Sequence, residues 1–196
     1  MPSLIQFARD QHTNLALIPK PQDCNGATYI VIGSNTGIGF ECAKHLVQLY
    51  AKRVILGVRT PRKGEEAKAR IEMETGRKGV LEVWHFDATS YDSVKDFAKK
   101  VHDLDRVDAI IANAGVALDK YSTAEGLETT LTVNDVSTML LAVLVLPKLQ
   151  ESARTFNIST NLVVVGSNVA FDAKGVLENV DGDILEGPSR GIDRKR

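Results

Sequence analysis

The sequence predicts an α/β domain: a doubly wound parallel sheet with helices on both faces. Three observations predict it. Short β-branched apolar runs alternate with helical stretches of ten or more residues along most of the chain, which is the pattern of βαβ units. The first run passes directly into Gly33-Ser34-Asn35-Thr36-Gly37-Ile38-Gly39, a glycine spacing suited to a loop that cradles phosphate at a helix N-terminus. Arg59, Asp87, Asn113 and Ser167 then fall where successive runs end, and open α/β sheets bind ligands outside the carboxyl ends of their strands.

Taken in order, residues 1–27 form a lead-in that closes in the turn-rich stretch Pro21 to Gly26. Residues 28–33 read as a strand buried on both faces. Gly39 to Leu49 reads as a helix with Cys42, Ala43, Leu46 and Val47 at helical spacing. Residues 53–58 make a second strand, and 62–76 a charged helix stopped by Gly76. Residues 80–86 are a third strand, and Asp92 to Leu104 a helix whose Val94, Phe97, Ala98, Val101 and Leu104 form one stripe. A fourth strand covers 108–112. Residues 125–153 fit one long helix, broken or bent near Pro147 because proline lacks a backbone donor. Residues 162–166 are a fifth strand. The domain is placed at 28–170, followed by a polar tail, 171–196, expected to be partly disordered.

Composition narrows the classes. The chain has 196 residues, 43% of them hydrophobic, and a net charge of -1, so nothing electrostatic calls for a nucleic-acid or anionic-membrane partner. The longest unbroken apolar run, Met139 to Pro147, is nine residues, under half of the roughly 20 that span a bilayer, and no membrane span is expected. Arg9, Asp10 and Lys20 interrupt the N-terminus, which does not read as a signal peptide. Cys24 and Cys42 are expected to be reduced and structural, and His12, His45, His85 and His102 show no ligand spacing, so no metal is expected. The expected compartment is the cytoplasm.

Between a strand and a helix, the loop at Gly33–Gly39 reads as a dinucleotide site of the Rossmann type. One glycine allows the tight turn, one lets the backbone approach the pyrophosphate, and one lets helix and strand pack closely. Arg59 stands 20 residues after Gly39, where a NAD-binding chain carries an acid for the ribose 2′-hydroxyl and an NADP-binding chain an arginine. With Arg62 and Lys63 close behind, the pattern favours NADP (NADPH) over NAD.

These residues resemble the short-chain dehydrogenase/reductase family, and within it the branch of retinol dehydrogenases, WW-domain oxidoreductase and many fungal secondary-metabolism enzymes. Gly33 to Gly39 is similar to that family's TGxxxGIG loop, with Ile32 in place of the threonine. Val54 to Arg59, followed by Lys63-Gly64-Glu65-Glu66-Ala67, resembles its second strand and basic turn. Phe86-Asp87 resembles the end of the third strand, whose Asp contacts adenine, and Asn113-Ala114-Gly115 its NAG motif. Gly126-Leu127-Glu128 and Val133-Asn134 resemble the long-helix signature, and residues 163–167 the strand that ends in the catalytic Ser. The resemblance implies cofactor binding by Gly33, Ser34, Asn35, Gly37, Ile38, Gly39, Arg59, Lys63, Asp87, Asn113, Ala114 and Gly115. It implies catalytic roles for Ser167 on the carbonyl oxygen and Asn134 on a relay water. The implied activity is NADP-dependent reduction of a carbonyl, or oxidation of a secondary alcohol, on a small lipophilic metabolite. Homo-oligomers are usual in the family.

One part of that chemistry is missing from its expected place. The family's Tyr-x-x-x-Lys pair should follow Ser167, yet Tyr29, Tyr50, Tyr91 and Tyr121 all precede it. The sequence therefore reads as a fold incomplete at its C-terminal end, with apolar surface expected on the fifth strand and the long helix. Two functions stay open: an oxidoreductase whose chain lacks the acid–base pair, or a non-catalytic NADPH-binding sensor or interaction module.

Overall fold

The computed structural model describes Arg9 and residues 19–167. The rest of the expected lead-in before residue 19, and the expected tail 171–196, lie outside the described residues. After a one-turn helix α1 (Pro21–Cys24) the chain alternates β1 (Thr28–Ile32), α2 (Gly37–Gln48), β2 (Arg53–Val58), α3 (Pro61–Thr75), β3 (Leu81–His85), α4 (Tyr91–His102) and β4 (Ala109–Ala112). A hairpin β5–β6 (Thr123–Ala124, Leu127–Glu128), α5 (Thr129–Leu131), a π turn (Thr132–Val136), α6 (Ser137–Phe156) and β7 (Asn161–Val164) complete it.

The main sheet has the order β3-β2-β1-β4-β7, and every pairing in it is parallel. The chain winds outward from β1 to β3, then returns to place β4 on the other side of β1. That reversal leaves a crevice at the carboxyl ends of β1 and β4, the usual binding position in such sheets. Val31, Leu56 and Val58 face α2 and α3 on one side, with Phe40, Ala43, Val47, Ala67 and Ile71. Ile30, Ile32, Ile55 and Ile110 face α4 and α6 on the other, with Phe97, Val101, Leu141, Val145 and Leu149. Strand residues thus alternate between two buried faces, which is why the runs in the sequence are continuously apolar. Phe97 anchors the second layer, edge-on to Trp84 and Phe86 at centroid distances of 5.6 and 5.1 Å.

Three expectations need correction. The first helix starts at Gly37, two residues before the predicted Gly39, with Thr36 as its N-cap. The long helix does not begin at 125: Glu125 and Gly126 are the left-handed tip of the hairpin, at φ 52° and 82°, and the helix follows from Thr129. Pro147 lies inside α6, which continues through it to Phe156. Its ring removes the bond to the Val143 carbonyl, on a flank where Val143 is 70% exposed and water can take that oxygen. Leu141, Val145 and Leu149 hold the helix to the sheet on either side of the defect.

The helical stretch Thr129–Phe156 is also long and apolar enough to cross a bilayer by length and composition. The run-length reading missed this because scattered Thr, Ser and Asn interrupt the run while adding little charge. Its buried Leu141, Val145 and Leu149 face is that of a core helix. On its outer side Met139, Val143 and Leu146 are exposed, as are Val163, Val164 and Val165 at the sheet edge.

At the amino ends of the strands, Asp108 staples the sheet. Its carboxylate accepts the Thr28 N–H at 2.8 Å and two-pronged bonds from Arg106 at 2.6 and 2.9 Å. Replacing Asp108 with Ala strands a buried N–H and an arginine at once, and is expected to cost about 2–3 kcal/mol in urea unfolding; a loss below about 1 kcal/mol would show that the staple is dispensable.

Candidate functional site

A cleft of about 330 Å3 opens at the carboxyl ends of the strands. The loop after β1 contributes Gly33, Asn35 and Thr36, and β2 contributes Gly57 with Arg59 just beyond it. The loop after β3 contributes Phe86, Asp87, Ala88 and Thr89, the loop after β4 Asn113 to Val116, and the π turn Val133. Four strand ends and one helix thus converge on one space.

The glycine loop is shaped by close approach. Gly33 has φ 75°, and a Cβ there would lie 2.8 Å from the Ala114 Cα. A Cβ on Gly39 would lie 2.4 Å from the Gly33 oxygen and 2.5 Å from Asn113 Nδ2. The Asn113 amide donates to the Ile32 and Gly33 carbonyls at 3.3 and 3.1 Å, so this side chain holds the loop against β4. The Thr36 side chain makes no capping hydrogen bond, leaving the amide end of α2 directed at the cleft side of the loop. A twelve-residue helix carries partial positive charge there. Ser34 is fully buried, and its Oγ has no partner among the described residues. A cradle with no room for a side chain, beside a helix N-terminus, fits a pyrophosphate.

Arg59 borders the cleft, while Arg62 is turned to Glu66 at 2.7 Å on the first turn of α3. Asp87 ends β3 as a turn: its Oδ1 accepts from the Thr89 N–H at 2.9 Å and hydroxyl at 2.7 Å. Asn134 sits in the π turn, where its amide accepts from the Val116 N–H at 2.8 Å and donates to the Val116 carbonyl at 2.9 Å. π turns arise from an inserted residue and recur at functional sites.

Of the predicted residues, Gly33, Asn35, Arg59, Asp87, Asn113, Ala114 and Gly115 are brought together on the cleft wall. The others are not wall residues. Ser34 is packed behind the loop, and Gly39 is pressed against it. Gly37 and Ile38 line a separate apolar groove on the outer flank of α2, Lys63 is exposed on α3, and Ser167 is exposed just past β7. Gly57, Thr36, Phe86, Ala88, Thr89, Val116 and Val133 are wall residues that sequence reasoning passed over. Gly57 carried a signal, since a glycine inside an apolar strand marks a close approach: its Cβ would meet Ile32 at 2.6 Å.

A Tyr-x-x-x-Lys string does occur before Ser167, at Tyr91–Lys95. It opens α4, where Lys95 pairs with Asp92 at 3.1 Å, and neither residue borders the cleft. Burial, then a hydrogen bond with Cys24, pushes the Tyr29 hydroxyl above the usual phenol range, the wrong direction for acid–base work near neutrality. Burial likewise pushes the Cys42 thiol up, as for an inert packing thiol. Among the described residues, no group of three or more His, Cys, Asp or Glu could hold a metal.

Comparison with known proteins agrees with this geometry. The short chain dehydrogenase family model matches residues 27–176. A short chain dehydrogenase/reductase of Cryptosporiopsis sp. is 48% identical over 147 residues, which are 74% of this chain and 45% of the relative. A short-chain dehydrogenase of Penicillium roqueforti is 42% identical over 146 residues, 74% of this chain and 38% of the relative. The chain therefore spans less than half the length of these two curated relatives. Among solved structures, a short chain dehydrogenase of Escherichia coli CFT073 complexed with NADPH superposes with a TM-score of 0.64 at 25% identity, over 80% of this chain and 64% of that one.

The cradle makes a graded prediction. Gly39→Ala is expected to cost about 2–3 kcal/mol in urea unfolding through overpacking against backbone. Gly37 meets open space, and Gly37→Asn, which tolerates left-handed backbone, is expected to cost under about 1 kcal/mol. Equal losses would show that the tight spacing at Gly39 is not the constraint.

Proposed function

The chain belongs to the short chain dehydrogenase family, and on that premise we propose that it is an NADP-dependent oxidoreductase domain. Its substrate class is a carbonyl or secondary alcohol of a small lipophilic metabolite of the secondary-metabolism kind, handled in the cytoplasm. The observation that carries the preference for NADP is Arg59, which lines the cleft just past β2, with the glycine loop, at the position where an NAD site carries an acid. With Arg62 paired to Glu66, Arg59 is the arginine we assign to a 2′-phosphate.

The backbone of Gly33–Gly39 and the N-terminus of α2 take the pyrophosphate, and Asp87 and Thr89 shape the adenine end. Asn113 to Gly115 border the other end. A bound nicotinamide supplies or accepts the hydride. Ser167 hydrogen-bonds the substrate oxygen. Asn134 keeps one amide hydrogen and one oxygen lone pair beyond its two bonds to Val116, and these are what it can offer a relay water. Proton transfer at the substrate oxygen still needs a group of suitable pKa, and no Tyr-x-x-x-Lys pair follows Ser167.

These 196 residues alone are expected to bind NADPH but show no measurable ketone reduction; robust NADPH-dependent turnover would show that they carry a proton donor of their own. Cofactor choice is tested separately. Arg59→Asp is expected to weaken NADPH more than tenfold, from loss of a charge-assisted contact of about 1.5–3 kcal/mol, while changing NADH little. Unchanged titrations with both would remove Arg59 from the site.

A further inference from the structure

The cleft lies between the loop after β3, residues 86–90, and the loop after β4, residues 113–116. Two strands, β2 and β1, stand between β3 and β4 in the sheet, so no ladder bond joins these loops. Their common tie is the segment 122–138. Ser137, completely buried, donates its hydroxyl to the Ala88 carbonyl at 2.6 Å. One turn earlier, Asn134 grips both backbone groups of Val116. At the hairpin tip, Glu125 Oε1 accepts the N–H of Tyr91 at 2.8 Å. Tyr91 opens α4, whose Ser93 hydroxyl accepts the Asp87 N–H at 2.9 Å.

We propose that Ser137 and Glu125 are positioning residues of the cofactor cleft. Acting through Ala88 and Tyr91, they fix the loop that carries Asp87 and Thr89 at a set distance from Val116, so segment 122–138 sets the width of the cleft. The inference rests on the dinucleotide reading of that cleft. Two features single out these residues. Ser137 follows the π turn directly, so residues three apart, Asn134 and Ser137, reach loops from strands that never touch. Glu125 occupies the left-handed first position of a two-residue turn, where Asn, Asp or Gly is the ordinary choice. What glutamate adds there is a carboxylate long enough to reach the first N–H of α4, where a helix favours negative charge.

The test uses the full 196-residue chain, with NADPH and adenosine 2′,5′-bisphosphate titrated well below the unfolding midpoint, and with unfolding followed in parallel. Ser137→Ala is expected to raise Kd for both ligands about five- to tenfold, the worth of one hydrogen bond. Glu125→Ala is expected to raise both about two- to fivefold, and Glu125→Gln, which keeps an acceptor oxygen, to restore near-parental binding. A merely structural role lowers the unfolding midpoint and leaves both Kd values within twofold; that result overturns the proposal. Should Ser137→Ala fail to fold, the two Glu125 variants decide alone. If the parent chain binds neither ligand, the dinucleotide reading fails and this one with it; unchanged variants of a parent that does bind defeat only the positioning role.

Discussion

Everything at the cleft depends on one steric fact: between the first turn of α2 and the end of β1 there is no room for a carbon atom. The Gly33 carbonyl, the Asn113 amide and the Gly39 Cα are packed so closely that any side chain at 39 would strike backbone. That approach lets α2 start directly over β1 and turns its amide end toward the cleft. It also frees Asn113 to bond two carbonyls of the β1 end, fastening the loop to β4. The partial positive charge at this loop is thus a by-product of packing: peptide dipoles accumulate wherever a helix is forced to begin beside a strand end.

The same economy governs the electrostatics. Charged groups are sorted to opposite ends of the strands. The Asp108–Arg106 pair sits at the amino ends and bonds the backbone of β1, while Arg59 and Asp87 lie at the carboxyl ends beside the cleft. The interior between them is apolar on both faces, so neither group of charges needs to be accommodated within it. Such a core can hold the strand ends in place without constraining which polar residues stand there, one physical reason why this architecture carries so many chemistries.

Much of this was legible in the residues. Continuous apolar runs gave the strands because a parallel sheet buries both faces, and Gly76 ended α3 as expected, at φ 68°. The glycine loop and Arg59 pointed to the carboxyl ends of the strands, where the cleft lies, because their spacing has a mechanical meaning. What could not be read was tertiary. The Glu125-Gly126 turn looked helical because Leu127, Leu131 and their neighbours continue the periodicity of α6. The π turn leaves no local signature, since Asn134 owes its place to Val116, eighteen residues earlier. Pro147 misled because its cost depends on whether a carbonyl faces water, and exposure is a property of the fold. Thr89 and Val133 join the cleft from a loop and a π turn whose placement no local pattern dictates.

The Thr28–Asp108 bond, which spans 80 positions of the chain, carries a consequence for biosynthesis. β1 is the central strand of the sheet, yet its second neighbour leaves the ribosome long after the first. While residues 33 to 108 are being made, at about 5–20 residues per second, β1 and β2 can pair but the β4 side of β1 stays bare. That interval lasts several seconds, and a central apolar strand with an open edge is a template for unintended pairing. That interval is when the open edge of β1 is most exposed to unintended pairing, and a slowly translated stretch ahead of codon 109 would prolong it.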